Sequence, residues 1–283
     1  MRITLANAMG TCFGVEQAIA MALDPQFRNR LTIIGQLVHN PQVMERLAGN
    51  GVRIVDWGEV DQITTEAVMI TAHGVSDARK RELEGRGLIV YDASCPLVRR
   101  LHDTARELQD AGFYPVIVGT PDHVEVQGVV GNLGACAVVR GREDLDTLVG
   151  HQRIGVVSQT TNRLELVQEL VEAIRALPGV AEVRFVDTIC KPVKDRQAAI
   201  HDLLEHDIDL GIVVGGRNSS NTRKLFDIVR AHGIECHHIE QPAECDPAWF
   251  AGKTHVGITA GTSTPQDVIA AVHRAVKAIV DTP

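Results

Sequence analysis

The chain has 283 residues, enough for one large domain or for two or three small ones, and 45% hydrophobic with 23% charged residues is ordinary for a soluble globular protein. A net charge of −8 with no basic stripe argues against a nucleic-acid partner, although local amides, hydroxyls and histidines still suit a phosphorylated one. The longest apolar runs, such as 210–214, are too short to span a bilayer, and MRITLANAMG lacks the apolar core of a signal peptide, so no membrane is expected and a cytoplasmic location is.

In chain order, short β-branched runs predict strands at 3–6, 32–35, 52–55, 67–71, 88–91 and 114–118, then at 137–140, 153–157, 182–186, 210–214, 235–238 and 255–259. Helical periodicity falls between most of them, for example over 97–111, 162–177 and 264–279. Strand–helix alternation with near-continuous apolar strands implies an α/β fold with parallel sheets covered by helices. A dozen strands are too many for one small sheet. Three subdomains of about four strands and roughly a hundred residues each fit the usual domain scale.

The six cysteines, Cys12, Cys95, Cys136, Cys190, Cys236 and Cys245, contain no CxxC pair, so local zinc hairpins are not expected. Cys12 follows the first strand in LANAMGTCFG, Cys95 the fifth in YDASCPLV, and Cys190 the ninth in VDTICKPV. Their separations, 95 − 12 = 83 and 190 − 95 = 95, are close to one subdomain each. Other post-strand loops carry QLVHNP around His39, TAHGVS around His73, GTPDHVEVQG around His123 and Glu125, SQTT around Thr160, GGRNSSN around Ser219, Ser220 and Asn221, and TAGTST around Ser263. In open parallel sheets ligands bind beyond the carboxyl ends of the strands, so these residues share one structural station.

Taken singly, each has a plainer use. A cysteine is usually a small buried hydrophobe, and Cys136, Cys236 and Cys245 fit that. A histidine such as His102, His151 or His273 serves surface or helix packing. Ser-Ser-Asn before a helix is first of all an N-cap, and Glu125 a solvated carboxylate at a helix start. Co-occurrence at one station favours function instead. Three thiolates suit iron–sulfur ligation, and the spacing allows a three-cysteine zinc site equally.

The motifs in order are CFGV at Cys12, VHN at His39, TAHGVS at His73, DASCPLV at Cys95, HVEVQG at His123, SQTT at Thr160, DTIC at Cys190, NSSN at 218–221 and TAGTSTP at 259–265. Together, from residue 1 to about residue 275, they resemble the LytB family of 4-hydroxy-3-methylbut-2-enyl diphosphate reductases of the non-mevalonate isoprenoid pathway. The resemblance implies a trefoil of three small parallel-sheet α/β domains, 13–95, 96–187, and 188–283 with 1–12, around a central [4Fe-4S] cluster. It implies Cys12, Cys95 and Cys190 as the three cluster ligands, with one iron left open. It implies a substrate pocket of His39, His73, His123, Ser219, Ser220, Asn221 and Ser263, and catalytic roles for Glu125, Thr160 and His123 in positioning the substrate hydroxyl and delivering protons. Two electrons, from ferredoxin or flavodoxin, and two protons would remove that hydroxyl as water, leaving isopentenyl and dimethylallyl diphosphates.

The chain departs from the family pattern at Thr11, Val124 and Gln127, and most at Val193, where the resemblance calls for a threonine at the phosphate end. Losing a hydroxyl bond to a charged phosphate costs about 1.5–3 kcal/mol unless Lys191 or Lys194 replaces it; the other reading, of equal weight, leaves both lysines in solvent. The alternatives are a [4Fe-4S] reductase of the same fold with a different substrate, a non-catalytic cluster-binding redox sensor, and a zinc hydrolase.

Overall fold

The structure of the chain, a computed structural model, describes residues 1–281; residues 282 and 283, the tail of the third expected domain, lie outside them. Its strands are β1 (Arg2–Leu5), β2 (Leu31–Ile34), β3 (Arg53–Val55), β4 (Ala67–Ile70), β5 (Ile89–Asp92), β6 (Tyr114–Val118), β7 (Ala137–Val139), β8 (Arg153–Ser158), β9 (Glu182–Phe185), β10 (Leu210–Val214), β11 (Glu235–Ile239) and β12 (His255–Ala260). The α-helices are α1 (Phe13–Ala22), α2 (Pro41–Gly49), α3 (Asp77–Gly85), α4 (Pro96–Asp110), α5 (Val124–Val130), α6 (Leu164–Arg175), α7 (Lys191–Leu204), α8 (Ser220–Ala231) and α9 (Gln266–Asp281). Every predicted strand is present, its ends displaced by at most one residue. The helix predicted from residue 162 starts at Leu164 because Asn162, almost fully buried, donates its side-chain amide to the Val118 carbonyl at 3.1 Å and so stays in the loop.

The strands form three four-stranded sheets, ordered β3-β2-β4-β5, β7-β6-β8-β9 and β11-β10-β12-β1, and every strand pair is parallel. Counting strands along the chain within each sheet, with β1 as the fourth of the last, gives the order 2-1-3-4 three times. The fourth, edge strand of each sheet is β5, β9 or β1. Each of the three leads directly to one of the cysteines noted above, and each cysteine precedes a helix.

The chain divides into two compact units, Met1–Glu16 with Val38–Arg46 and Lys191–Pro283, and Gln17–Leu37 with Leu47–Cys190. In the first, strand alternation sends Leu210, Ile212 and Val214 into a core with Ile258, Ile269, Val272 and Val276 under α9, and Val213 into a second core with Ile200, Leu225 and Val229 under α7 and α8. Both faces are thereby covered, as parallel strands require. In the second unit α4 and α5 bury Leu101, Leu108, Val126 and Val129 against Ile117 and Val157, and Leu83 of α3 meets Ile34, Val55 and Val68. Among the described residues no helix is long and apolar enough to cross a membrane.

Candidate functional site

The three edge strands end alike. The Cys12 N–H donates to the Thr262 carbonyl at 3.0 Å, the Cys95 N–H to Ala72 at 3.0 Å, and the Cys190 N–H to Thr160 at 2.9 Å. Each acceptor lies just beyond the strand next to the edge, namely β12, β4 and β8, so one bond repeats in three sheets and holds each cysteine past the sheet's carboxyl end. All three are half-buried. Among the described residues no three His, Cys, Asp or Glu side chains gather around a single-ion site. The fit of an iron–sulfur group therefore rests on soft sulfur donors at equivalent stations, the donor chemistry such a group requires. Cys236 differs: it is buried in β11, and burial pushes its thiol up to about 12, the mark of a packing residue.

In the first unit, the loops after β10 and β12 meet the segment carrying His39. The Ser263 hydroxyl donates to the His39 carbonyl at 3.2 Å. Gly216 lies so close that a Cβ there would stand 2.3 Å from the same oxygen, which only glycine allows. Ser219 caps α8, its hydroxyl accepting the Thr222 N–H at 3.3 Å, so the N-cap expectation holds for it. Asn221, in the first turn, is 1% exposed, yet neither its Oδ1 nor its Nδ2 has a hydrogen-bond partner among the described residues. Ser220 is buried beside it in that turn. A buried amide left unsatisfied costs roughly 1–3 kcal/mol, so the site fits a ligand with several acceptor oxygens at a helix N-terminus. Burial, and then the Arg223 charge, lowers the His39 pKa below its ordinary 6.5.

In the second unit, His123 caps α5: its Nδ1 accepts the Glu125 N–H at 3.2 Å. Glu125 is 2% exposed, in contrast to the solvated carboxylate that a helix-start glutamate suggests. One carboxylate oxygen accepts the Thr160 N–H at 2.7 Å and the other the Thr160 hydroxyl at 2.8 Å. His73, two residues past the Thr71 hydroxyl that lies 3.5 Å from its Nδ1, meets the His123 ring edge-on at 5.8 Å between centroids. Below Cys190, Thr188 extends the ladder after the β8–β9 pairing ends: its hydroxyl donates to the Ser158 carbonyl at 2.6 Å and accepts the Ser158 N–H at 2.8 Å.

The predicted residues thus fall in two groups. His39, Ser219, Ser220, Asn221, Ser263 and Cys12 lie at the carboxyl end of the first unit's sheet. His73, Cys95, His123, Glu125, Thr160 and Cys190 lie at the same ends in the second. The surroundings of Val193 are resolved as well. Val193 is fully buried in the first turn of α7, and Lys191 is exposed, its ammonium 2.7 Å from the Asp195 carboxylate one turn on. Sequence reasoning missed Arg196, buried in α7, whose guanidinium donates to the carbonyls of Gly10, Thr11 and Pro192 and so pins the segment before Cys12. A lone arginine in an amphipathic helix carries no signal of burial.

A family model described as LytB protein matches residues 3–277. The chain is similar to the 4-hydroxy-3-methylbut-2-enyl diphosphate reductase of Aquifex aeolicus (strain VF5), 35% identical over 285 residues, covering 99% of this chain and 97% of that protein. It is also similar to the enzyme of that name from Dehalococcoides mccartyi (strain CBDB1), 38% identical over 279 residues and covering 96% of each. Among solved structures it resembles (E)-4-hydroxy-3-methyl-but-2-enyl diphosphate reductase, the terminal enzyme of the non-mevalonate pathway, with a TM-score of 0.69 and 35% identity over 98% of this chain and 100% of that one. The E-1-hydroxy-2-methyl-but-2-enyl-4-diphosphate reductase of Plasmodium falciparum shares the fold, with a TM-score of 0.90 at 23% identity over 100% of this chain and 89% of that one.

Two expectations follow from the geometry. Asn221→Leu removes the unsatisfied amide, so calorimetry should show pyrophosphate binding weakened by about tenfold or more with no fall in the unliganded melting temperature; a dissociation constant within about twofold of the parent removes Asn221 from the pocket. Burial lowers the pKa of His39, His102 and His238 below the ordinary 6.5, so on acidification the unfolded chain takes up these protons before the folded one. Their stabilising contribution is complete above that pH and falls as pH drops through 6.5 towards the folded values. Thermal melts should decline between about pH 7 and about pH 5.5; a flat midpoint across that range contradicts the assignment.

Proposed function

The chain belongs to the LytB family, and on that premise we propose that it is an iron–sulfur oxidoreductase that converts 4-hydroxy-3-methylbut-2-enyl diphosphate to isopentenyl and dimethylallyl diphosphates. The balance is loss of the C–OH bond with uptake of two electrons and two protons, releasing water. A [4Fe-4S] cluster, when bound, supplies the electrons one at a time and an open iron as a Lewis acid. Cys12, Cys95 and Cys190 are its proposed ligands, supported by their equivalent stations on three edge strands. Ferredoxin or flavodoxin is the proposed electron donor and the cytoplasm the proposed location, where thiols stay reduced. Each sheet with its helices, 13–95, 96–187, and 188–283 with 1–12, is a proposed domain.

The observation that carries the reading is the buried pair of Glu125 and Thr160. A carboxylate held by both the N–H and the hydroxyl of one threonine forms a ready proton relay. When Glu125 takes a proton, its O–H donates to Thr160 Oγ1, and the threonine proton is freed to turn toward the departing hydroxyl. His123 accepts at Nδ1, which leaves Nε2 as the donor toward the substrate. His39, Ser219, Ser220, Asn221 and Ser263 would hold the diphosphate, which answers the unsatisfied Asn221 amide. His73, edge-on to His123, is a further proposed substrate-binding residue, within its own unit.

The test is anaerobic purification, iron and sulfide analysis, then turnover of the diphosphate with a low-potential reductant. About four irons per chain and release of both products are expected, and zinc in place of iron overturns the reading. In Glu125→Gln the amide oxygen still accepts the Thr160 N–H, but the NH2 reverses the hydroxyl bond and carries no transferable proton. This variant should keep its iron and lose about 10²–10⁴-fold in kcat. Near-normal turnover removes Glu125 as the proton donor.

A further inference from the structure

His102 lies two turns along α4 from Cys95 and is 6% exposed. Its Nδ1 is 2.9 Å from Nδ2 of Asn132, just beyond α5, and the roles in that contact are determined by the next bond. Asn132 Oδ1 accepts the Asp77 N–H at 2.7 Å, at the start of α3. The NH2 therefore faces the imidazole and can only donate, so Nδ1 is the acceptor and the ring proton of neutral His102 sits on Nε2. Burial, reinforced by the Arg106 charge, disfavours the imidazolium that would break this bond.

The ring is also a spacer. A Cβ on Gly128, in α5, would stand 3.3 Å from His102 Cε1, 3.4 Å from Nε2 and 3.4 Å from Val75 Cα. A Cβ on Gly74 would stand 3.5 Å from Nε2. His102 therefore fills the gap between the loop that carries His73 and the helix that carries Glu125, while Asn132 ties the end of that helix to the start of α3. The loop and α3 belong to the β2–β5 sheet and α5 to the β6–β9 sheet, so the contact joins two sheets within one unit.

We infer that His102 is a positioning residue: by accepting from Asn132 and resting on Gly128, it sets α5, with His123 and Glu125, against the His73 loop. The inference rests on the reading of Glu125 as proton donor, and its test separates the two. Asparagine at position 102 places an oxygen near the Nδ1 position; glutamine matches the ring's length but places its amide near Nε2, leaving Asn132 without its acceptor. In the cluster-loaded full chain, His102→Asn should retain kcat within about threefold, whereas His102→Gln should lower it about tenfold with KM within about twofold. Asn132→Leu, which breaks the same bond from the other side, should reproduce the glutamine effect. Crystal structures read the inference without turnover: the His73–His123 separation, 5.8 Å here, should grow by about 1 Å in His102→Gln and stay unchanged in His102→Asn. Equal kcat in the two variants, or an unchanged separation in His102→Gln, overturns the role of His102. A parent chain without turnover on the diphosphate overturns the proposed function, and the crystallographic arm still decides His102.

Discussion

A parallel strand releases its chain at one edge of its sheet alone, and the helix that follows must carry the chain back before the next strand can pair. Everything chemical in this molecule follows from that constraint. Four loops crowd each carboxyl edge, and residues distant in sequence become backbone neighbours there. Cys12 and Thr262 come from opposite ends of the chain and share a hydrogen bond because β1 lies beside β12. The same relation places Cys95 against Ala72 and Cys190 against Thr160. Three repetitions of one strand order thus yield three repetitions of one cysteine site, with no need for a repeated sequence.

The bonds beyond the strands are made increasingly by side chains. Thr188 continues the β8–β9 ladder after backbone pairing stops, and Gln159 reaches back to the Thr120 N–H at 3.1 Å. Glu125 belongs to this scaffold too. Its carboxylate joins α5 to the loop after β8, and each bond to the charged group is worth about 1.5–3 kcal/mol. A buried carboxylate would otherwise be expensive to keep. The group proposed as the proton donor is therefore also a rivet of the fold.

Most of the fold was legible because apolar β-branched runs and helical periodicity are local signals. Strand ends shifted by at most one residue; the helices expected from 162 and from 264 each start two residues later, the first because the Asn162 side chain bonds across to β6. The site loops were legible because unusual residue types collect after strands. What stayed hidden depends on partners far away in sequence. Arg196 reads as a surface arginine until the Gly10 and Thr11 carbonyls are brought to it. His102 reads as helix packing, which it is, but its tautomer depends on Asn132 and that in turn on Asp77. Of the two readings of the lysines after Cys190, the solvent one holds for Lys191, whose charge is met by an aspartate one helical turn later.

The two groups of site residues satisfy their polar atoms in opposite ways. In the second unit the Glu125 carboxylate bonds to the N–H and the hydroxyl of Thr160, while His123 accepts from the Glu125 backbone N–H, so the polar atoms there are met within the protein. In the first unit Asn221 keeps both amide atoms without a partner in a site that is almost fully enclosed. An unmet buried amide destabilises the free protein, and an incoming group with acceptor oxygens supplies bonds that the fold does not. A diphosphate brings several charged acceptors and needs donors that nothing else has already claimed. One group thus closes its polar atoms within the protein, and the other leaves an amide for a partner from outside.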